Sequence, residues 1–279
     1  MTAAHSSSRS GSAPAYIDTS RASIARVYDT ALGGKDNYPA DREVVDKLRQ
    51  VAPEIEQFTV DHRAFLVRVV RFLAGQAGID QFLDLGSGLP TAENTHQAAQ
   101  RLCPEARVVY VDNDPSVVAH GRALLEENDQ TFFSPGDLTH PAEVLEDPVV
   151  TRNIDFSRPL ALLQMGTLHH YDESDLSCAE IMKQYVDALP SGSYVALSHF
   201  LDPQDDDSVV ARRMEDVFLH SPLGTGRFRT RDQILAMMPG LDLVEPGLEL
   251  CVKWWPDGPM LSPLVPAQRC IAGVVGRKP

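Results

Sequence analysis

The spacing of hydrophobic residues changes near residue 79. Before it, apolar residues recur every three or four positions, as in amphipathic helices, over residues 20–32, 39–50 and 53–75. After it, short apolar runs alternate with further helix-like segments. Strands that alternate with helices in this way predict a mostly parallel sheet with helices on both faces. We therefore expect an α/β fold, with an N-terminal helical extension at residues 17–78 and a sheet domain at residues 79–279.

The sheet domain divides into predicted strands and helices. The strands are expected at residues 82–85, 107–111, 131–133, 160–163, 193–197, 241–244 and 269–275. The helices are expected at residues 91–102, 115–127, 172–189, 209–219 and 231–238. Residues 1–16 stand apart, because this segment is rich in serine and alanine and lacks an apolar run. Its composition predicts a disordered tail and not a signal peptide.

Residues 79–91 combine a strand, a tight turn and the start of a helix. An apolar run at residues 82–85 ends in Gly86-Ser87-Gly88. Glycines let the backbone approach a ligand closely, and the following helix turns its free N–H groups toward the same place. Asp84 adds a carboxylate beside the turn. Such a segment predicts a site for a small, polar and partly charged molecule.

Three interpretations of this turn are open. A dinucleotide site needs a third glycine for close packing of helix on strand, and Thr91 stands there instead. A carboxylate such as Asp84 gives a pyrophosphate no favourable contact, whereas it suits the sulfonium and ammonium groups of S-adenosylmethionine. Pro90 replaces the last glycine of a D/E-x-G-x-G-x-G motif, and its fixed φ is compatible with a helix start. The third interpretation is a purely structural strand, turn and helix.

Candidate ligand groups follow three further predicted strands. Asp112-Asn113 follows the second, where an acid can accept hydrogen bonds from both ribose hydroxyls. Asp137-Leu138 follows the third, where a carboxylate and a backbone N–H can recognise an adenine edge, and Met165 and Leu168 follow the fourth. Because parallel strands end at one edge of the sheet, these groups predict one cofactor site. The residues assigned to it are Asp84, Gly86, Ser87, Gly88, Asp112, Asn113, Asp137, Leu138 and Met165.

Four segments of the chain resemble one protein family. They are residues 26–42 (RVYDTALGGKDNYPADR), 79–99, 108–115 and 192–199. By these segments the chain is similar to S-adenosylmethionine-dependent methyltransferase-like proteins found mostly in actinomycetes, and GGKDN is the family-specific part. The resemblance implies a class I methyltransferase fold, with a Rossmann-like sheet, and S-adenosylmethionine as cofactor. It implies no substrate, and it carries over as cofactor residues Asp84, Gly86, Gly88, Asp112, Asp137 and Leu138.

Methyl transfer needs in-line alignment of the acceptor with the sulfonium methyl group, and a base where the acceptor is protonated. His169, His170 and His199 follow the fourth and fifth predicted strands and are expected to face the pocket. One of them as the base is a hypothesis. The alternative is that each imidazole only satisfies nearby backbone groups. Adjacent histidines point in different directions and the four cysteines are scattered, so we predict no metal site.

The loop after the first predicted helix is dense in polar groups. Ser20 can cap the start of that helix, and Gly33-Gly34 can end it. We predict that residues 17–38 cover the crevice as a lid, because loops held by rigid elements often carry specificity residues. The alternative is a helix packed outside the sheet with its polar loop in solvent. The side chains expected to face the cofactor or acceptor are Tyr28, Lys35, Asp36 and Asn37.

Composition narrows the range of partners. The net charge of −14 over 279 residues disfavours nucleic acids and anionic membranes. Arg68 and Arg71 interrupt the best candidate for a membrane span, residues 64–74. The scattered cysteines indicate reduced thiols in the cytoplasm. The Asn/Asp-Pro-Pro-Tyr motif of methyltransferases acting on bases or glutamine is absent, so we expect a small-molecule acceptor.

The leading hypothesis is a methyltransferase that uses S-adenosylmethionine to modify a small molecule. A non-catalytic protein that binds S-adenosylmethionine or S-adenosylhomocysteine is the second hypothesis, because no general base is evident. A dinucleotide-dependent oxidoreductase is the third, and Asp84 and Thr91 disfavour it. The pattern predicts neither the acceptor atom nor the oligomeric state.

Overall fold

The computed structural model describes residues 17–90, 93–124 and 128–279. Three helices precede the sheet, namely α1 (Ile24–Ala31), α2 (Pro39–Val51) and α3 (Ile55–Gly75). The strands are β1 (Gln81–Leu85), β2 (Arg107–Asp112), β3 (Thr131–Pro135), β4 (Ala161–Met165), β5 (Tyr194–Phe200), β6 (Asp242–Leu243), β7 (Glu249–Leu250) and β8 (Ile271–Arg277). The other α-helices are α4 (Thr95–Gln100), α5 (Pro115–Leu124), α6 (Pro141–Glu146), α7 (Pro148–Asn153), α8 (Cys178–Ala188), α9 (Ser208–His220) and α10 (Arg231–Leu235).

In the described chain the strands form one mixed sheet, in the order β3-β2-β1-β4-β5-β8-β6, with β7 paired to β8. Strands β1 to β5 are parallel, whereas β8 lies antiparallel to β5. The predicted mostly parallel α/β sheet is therefore confirmed. The strand order reverses between β1 and β4, and such a switch point leaves a crevice outside the carboxyl ends of the strands.

Helices cover both faces of this sheet. Neighbouring residues of β1 show the two faces, since Phe82 packs in one hydrophobic core and Leu83 in the other. Helices α1 and α3 contribute Val27 and Phe65 to the first core, and α8 contributes Tyr185 to the second. The N-terminal extension thus shares a core with the sheet. Its predicted boundary at residue 78 stays a prediction.

The start of α1 differs from the sequence-based prediction. Ser23 is the N-cap, and its hydroxyl accepts a hydrogen bond from the Arg26 N–H. The predicted cap, Ser20, instead donates to the Asp18 carboxylate. Gly33 follows the helix with a φ of +76°, as the predicted helix end requires.

Further differences lie in the sheet domain, where α4 begins at Thr95, α10 ends at Leu235 and the short strand β7 was not predicted. Helices α6 and α7 were not predicted, because each has only six residues and so shows little periodicity. Helix α8 begins at Cys178 and not at 172, since Ser177 and Glu180 form its capping box. The predicted tail at residues 1–16, Thr91 and residues 125–127 of a predicted helix lie outside the described residues. Among the residues that are described, no helix is long and apolar enough to cross a membrane.

Candidate active site

A cavity of about 890 Å³ opens at the carboxyl ends of β1 to β4. The loops after these strands form one side of it, and helices α1 and α3 cover it from the other side. All nine residues assigned to the cofactor line this cavity, together with three of the predicted catalytic and lid residues: Asp84, Gly86, Ser87, Gly88, Asp112, Asn113, Asp137, Leu138, Met165, Tyr28, His169 and His170.

The turn after β1 requires its two glycines for different reasons. Gly86 has a φ of +69°, and a Cβ there would lie 2.4 Å from Thr167 Cγ2 and 2.9 Å from Leu138 Cδ2. Gly88 has a φ of +67°, and a Cβ at this residue would have no heavy atom within 4 Å beyond its chain neighbours. The first glycine therefore lets the turn pack against its neighbours, while the second leaves open space for a ligand.

Asp112, at the end of β2, joins the glycine turn to the start of α5. Its Oδ2 accepts a hydrogen bond of 2.8 Å from the Gly88 N–H, and its Oδ1 accepts one of 2.9 Å from the Asp114 N–H. Burial raises the pKa of Asp112 to about 6, although the two hydrogen bonds act in the opposite direction and lower it. Carboxylate oxygens each have a second lone pair. Asp112 can therefore still accept hydrogen bonds from ligand hydroxyls.

We expect the affinity for S-adenosylmethionine to depend on pH through Asp112. Ribose hydroxyls donate more strongly to the ionised carboxylate than to the protonated acid, so a bound ligand lowers a pKa that is about 6 in the free protein. Binding at about pH 6 should therefore release protons, and affinity should rise between about pH 5 and about pH 7 and then level off. Calorimetry in two buffers of different ionisation enthalpy measures this release. Identical heats in both buffers, with an affinity indifferent to pH, would contradict the assignment.

Asp84 lies beneath the same turn and is almost fully buried. Its Oδ2 accepts a hydrogen bond of 2.6 Å from the Thr95 hydroxyl, at the start of α4. Burial raises the pKa of Asp84 to about 6, while this hydrogen bond and the positive charge of Arg63 lower it. The carboxylate is thus held inside the cavity within electrostatic reach of an arginine. Nothing in the sequence indicated that Arg63 lines the cavity, because a charged residue on an amphipathic helix ordinarily faces the solvent.

The residues after β3 and β4 complete the cofactor side of the cavity. The Asp137 Oδ1 accepts hydrogen bonds from the N–H and hydroxyl of Thr139 at 2.9 and 2.7 Å. The Leu138 carbonyl oxygen accepts one of 2.8 Å from Tyr185, which fixes the backbone at this position. Met165 lines the cavity. Leu168 does not, because it packs in the core on the opposite face of the sheet.

The three predicted catalytic histidines occupy different environments. His169 and His170 line the cavity. Burial, helped by the neighbouring His170 and His199, holds the pKa of His169 well below its ordinary value. The imidazole is therefore neutral at pH 7. Its Nδ1 is buried and has no hydrogen-bond partner among the described residues, so this ring retains an unused polar atom.

His199 differs from the prediction that it faces the pocket. It is fully buried behind the cavity wall, with Nδ1 2.7 Å from the Phe200 carbonyl oxygen and Nε2 2.9 Å from Arg229 Nη1. The carbonyl requires a proton on Nδ1, so Nε2 accepts from the guanidinium. Burial lowers the pKa of His199 to about 3. Both nitrogens are occupied within the protein, which leaves His199 a structural group.

A fourth histidine, His62 of α3, lines the cavity and was missed. Its Nδ1 lies 2.8 Å from the Tyr28 hydroxyl and its Nε2 lies 2.7 Å from the Ser198 hydroxyl. This chain links α1 through α3 to β5. A Cβ on Gly166 would lie 2.8 Å from the His62 ring, so the imidazole rests on the loop after β4. One feature of the sequence could have revealed His62: it is a polar residue on the apolar face of a predicted helix, four positions after Phe58.

The polar loop after α1 is placed differently from the prediction. Lys35, Asp36 and Asn37 do not line the cavity. The Asp29 carboxylate instead holds the loop in place. It accepts hydrogen bonds from the Asp36 N–H at 3.0 Å and from Asn37 Nδ2 at 2.8 Å. A Cβ on Gly34 would lie 1.9 Å from Asp29 Oδ1, so a larger residue there would displace the Asp29 carboxylate from these hydrogen bonds. The polar groups of the loop therefore serve its own turn, whereas Tyr28 of α1 lines the cavity. Closure of residues 17–38 as a lid stays a prediction.

Away from the cofactor residues, the cavity wall is aromatic. The His169 ring stacks on Phe200 with ring centroids 3.4 Å apart, and Phe200 stacks on Phe218 at 5.3 Å. Phe58 of α3 meets Phe200 at 5.6 Å. This half of the cavity combines apolar surface with neutral imidazoles. Among the described residues, no group of three or more His, Cys, Asp or Glu side chains could hold a metal ion.

The glycine turn, the acidic strand ends and one antiparallel strand beside five parallel ones together define a class I methyltransferase fold. The chain belongs to the S-adenosyl methyltransferase family, whose model matches residues 10–279. The comparison with curated proteins gave no match.

Two solved structures are similar over nearly the whole chain. A protein from Thermobifida fusca YX, described as a candidate methyltransferase, shares 42% identity over 94% of this chain and 96% of its own, with a TM-score of 0.88. A DUF574 family protein from Streptomyces avermitilis MA-4680 shares 37% identity over 95% of this chain and 100% of its own, also with a TM-score of 0.88. An O-methyltransferase family protein from Burkholderia thailandensis shares only the fold, at 16% identity, a TM-score of 0.50, and coverage of 82% and 61%.

Proposed function

We propose that this protein transfers a methyl group from S-adenosylmethionine to a small molecule bound in the same cavity. One observation carries the proposal: the glycine turn and the carboxylates at the carboxyl ends of β1 and β2 and just after β3 all line one cavity. In this assignment Asp112 accepts hydrogen bonds from the ribose hydroxyls. Asp137 and Leu138 face the adenine. The open space at Gly88 leaves room for the part of the cofactor that joins its ribose to its amino acid.

The acceptor is assigned to the aromatic half of the cavity. Phe58, Phe200 and Phe218 supply apolar surface there, and burial keeps His169 and His170 neutral. An uncharged or weakly polar molecule loses little hydration in such a place, whereas an unpaired anion would be costly to bury. His169 is the candidate base, because its ring lines the cavity and is neutral at pH 7. Helices α1 and α3 line this half and reduce its exposure to water.

The two rival hypotheses are weaker. A dinucleotide site would bring a pyrophosphate close to the buried carboxylate of Asp84, beside the glycine turn. A purely non-catalytic binding role is not favoured either, since the chain belongs to a methyltransferase family and its cavity extends well beyond the cofactor residues.

Transfer of a labelled methyl group tests the proposal. The protein is incubated with methyl-tritiated S-adenosylmethionine and a cell extract, which is then separated into small molecules, proteins and nucleic acids. We expect label in the small-molecule fraction, and much less of it with Asp112→Ala. Label in nucleic acid or protein would contradict the small-molecule acceptor, which the net charge of −14 supports.

A further inference from the structure

Arg63 of α3 lines the cavity next to the glycine turn and has no anionic partner among the described residues. Its Nη2 donates to the carbonyl oxygen of Glu93, in the loop between β1 and α4. Its Nε is buried and has no hydrogen-bond partner there. Neither nearby carboxylate forms an ion pair with Arg63. Glu93 Oε1 lies 2.9 Å from Arg101, although it is buried without a hydrogen-bond partner among the described residues, and Asp84 accepts from Thr95.

A half-buried guanidinium group with an unused N–H donor is energetically unfavourable unless a bound ligand accepts a hydrogen bond from it. Removing a cation from water costs several kcal/mol, and a partly satisfied buried ion retains much of that cost. Guanidinium groups bind carboxylates particularly well, because two parallel N–H donors match the two oxygens. The position of Arg63 therefore calls for a carboxylate that enters the cavity with a ligand.

The neighbourhood of Arg63 identifies which part of the ligand this is. Its charge acts on Asp84, which sits at the end of β1 beside the turn. A cation and an anion that line one cavity within electrostatic reach of each other match the two charges of an α-amino acid. Asp112 and Asp137, the groups assigned to ribose and adenine, follow β2 and β3 on the other side of β1.

We propose that Arg63 binds the α-carboxylate of S-adenosylmethionine while Asp84 faces its α-ammonium group, so that the site selects a methyl donor with an intact amino acid. This inference rests on the proposed function. The cavity has a second arginine, Arg21, but that residue is exposed. Its carbonyl oxygen accepts from Arg26, which also bonds Ser116 of α5, so Arg21 lies at the ribose end.

Decarboxylated S-adenosylmethionine tests this assignment, because it lacks only the α-carboxylate. The analogue has one more net positive charge, so long-range attraction to a protein of net charge −14 favours it over S-adenosylmethionine. A preference for S-adenosylmethionine must therefore come from a local contact. We expect the wild type to bind S-adenosylmethionine about tenfold to a hundredfold more tightly than the analogue, the range for one charged hydrogen-bonded contact.

The variant Arg63→Met should lose this preference by weakening only the binding of S-adenosylmethionine. The control Arg21→Met removes a cavity arginine at the other end and should keep the preference. Calorimetric affinities for both ligands, with the melting temperature of each variant, give the answer. A wild type that does not discriminate, or an Arg63→Met that weakens both ligands alike, would overturn the assignment. Failure of the wild type to bind either ligand would instead overturn the proposed function.

Discussion

Replacing Asp112 with alanine is expected to weaken the binding of S-adenosylhomocysteine by about tenfold to a hundredfold. The carboxylate is the assigned acceptor for the ribose hydroxyls, and a hydrogen bond to a charged group contributes about 1.5–3 kcal/mol. Calorimetry on the folded variant measures the loss. Asp155→Ala is a suitable control, because Asp155 is an exposed carboxylate that likewise accepts backbone N–H bonds, here from Ser157.

Asp112 also holds the Gly88 and Asp114 N–H groups, so a weaker affinity alone does not separate ribose binding from a loosened turn. The 2′-deoxy analogue of S-adenosylhomocysteine separates them. The wild type should bind this analogue less tightly than the parent compound, whereas Asp112→Ala should bind both about equally. If the variant discriminated between the two as the wild type does, the carboxylate would not contact the ribose.

The variant Asp41→Ala is expected to destabilise the fold by about 3–5 kcal/mol, because it leaves a buried guanidinium unpaired. Asp41 of α2 is fully buried and lies 3.0 Å from Arg26 Nε. Its oxygens also accept from the N–H groups of Ser23 and Tyr38, which begin α1 and α2. Arg26 in turn donates to Ser116 of α5. The Asp41 carboxylate thus stabilises the position of α1 over the cavity.

Chemical denaturation measures this change in the free energy of unfolding. Asp46→Ala on the same helix is the matched control, since Asp46 pairs with Arg49 at the surface and exposed pairs contribute at most about 1 kcal/mol. Equal effects of the two substitutions would show that the buried pair contributes no more than the exposed one. A large loss for Asp41→Ala also predicts weaker ligand binding, because α1 forms part of the cavity.

The sheet was predictable because its signal is local. The apolar runs at residues 82–85 and 107–111 are almost entirely buried in β1 and β2, and strands of that kind require cover on both faces. The same locality explains why the cofactor residues were found. Asp84 and Asp112 lie at the carboxyl ends of β1 and β2, and Asp137 lies two residues after β3. Parallel strands bring these ends together whatever the rest of the chain does.

The helical side of the cavity was only partly predictable, since it depends on contacts distant in sequence. His62 and Arg63 lie on α3, before the sheet begins, and nothing nearby in the chain indicates that this helix crosses the strand ends. The GGKDN segment was placed against the cavity because it is polar. Its polar groups instead donate hydrogen bonds to Asp29, and these contacts form only because the backbone turns at Gly33-Gly34. A polar run alone does not distinguish a binding loop from a self-satisfied turn.

The central claim is that S-adenosylmethionine binds at the carboxyl ends of β1, β2 and β3. Calorimetric titration of the wild-type protein with S-adenosylmethionine, S-adenosylhomocysteine and NAD in parallel tests it most directly. We predict that the first two bind at one site per chain and compete with each other, and that NAD gives no saturable heat. Saturable binding of NAD without binding of S-adenosylmethionine would contradict the account.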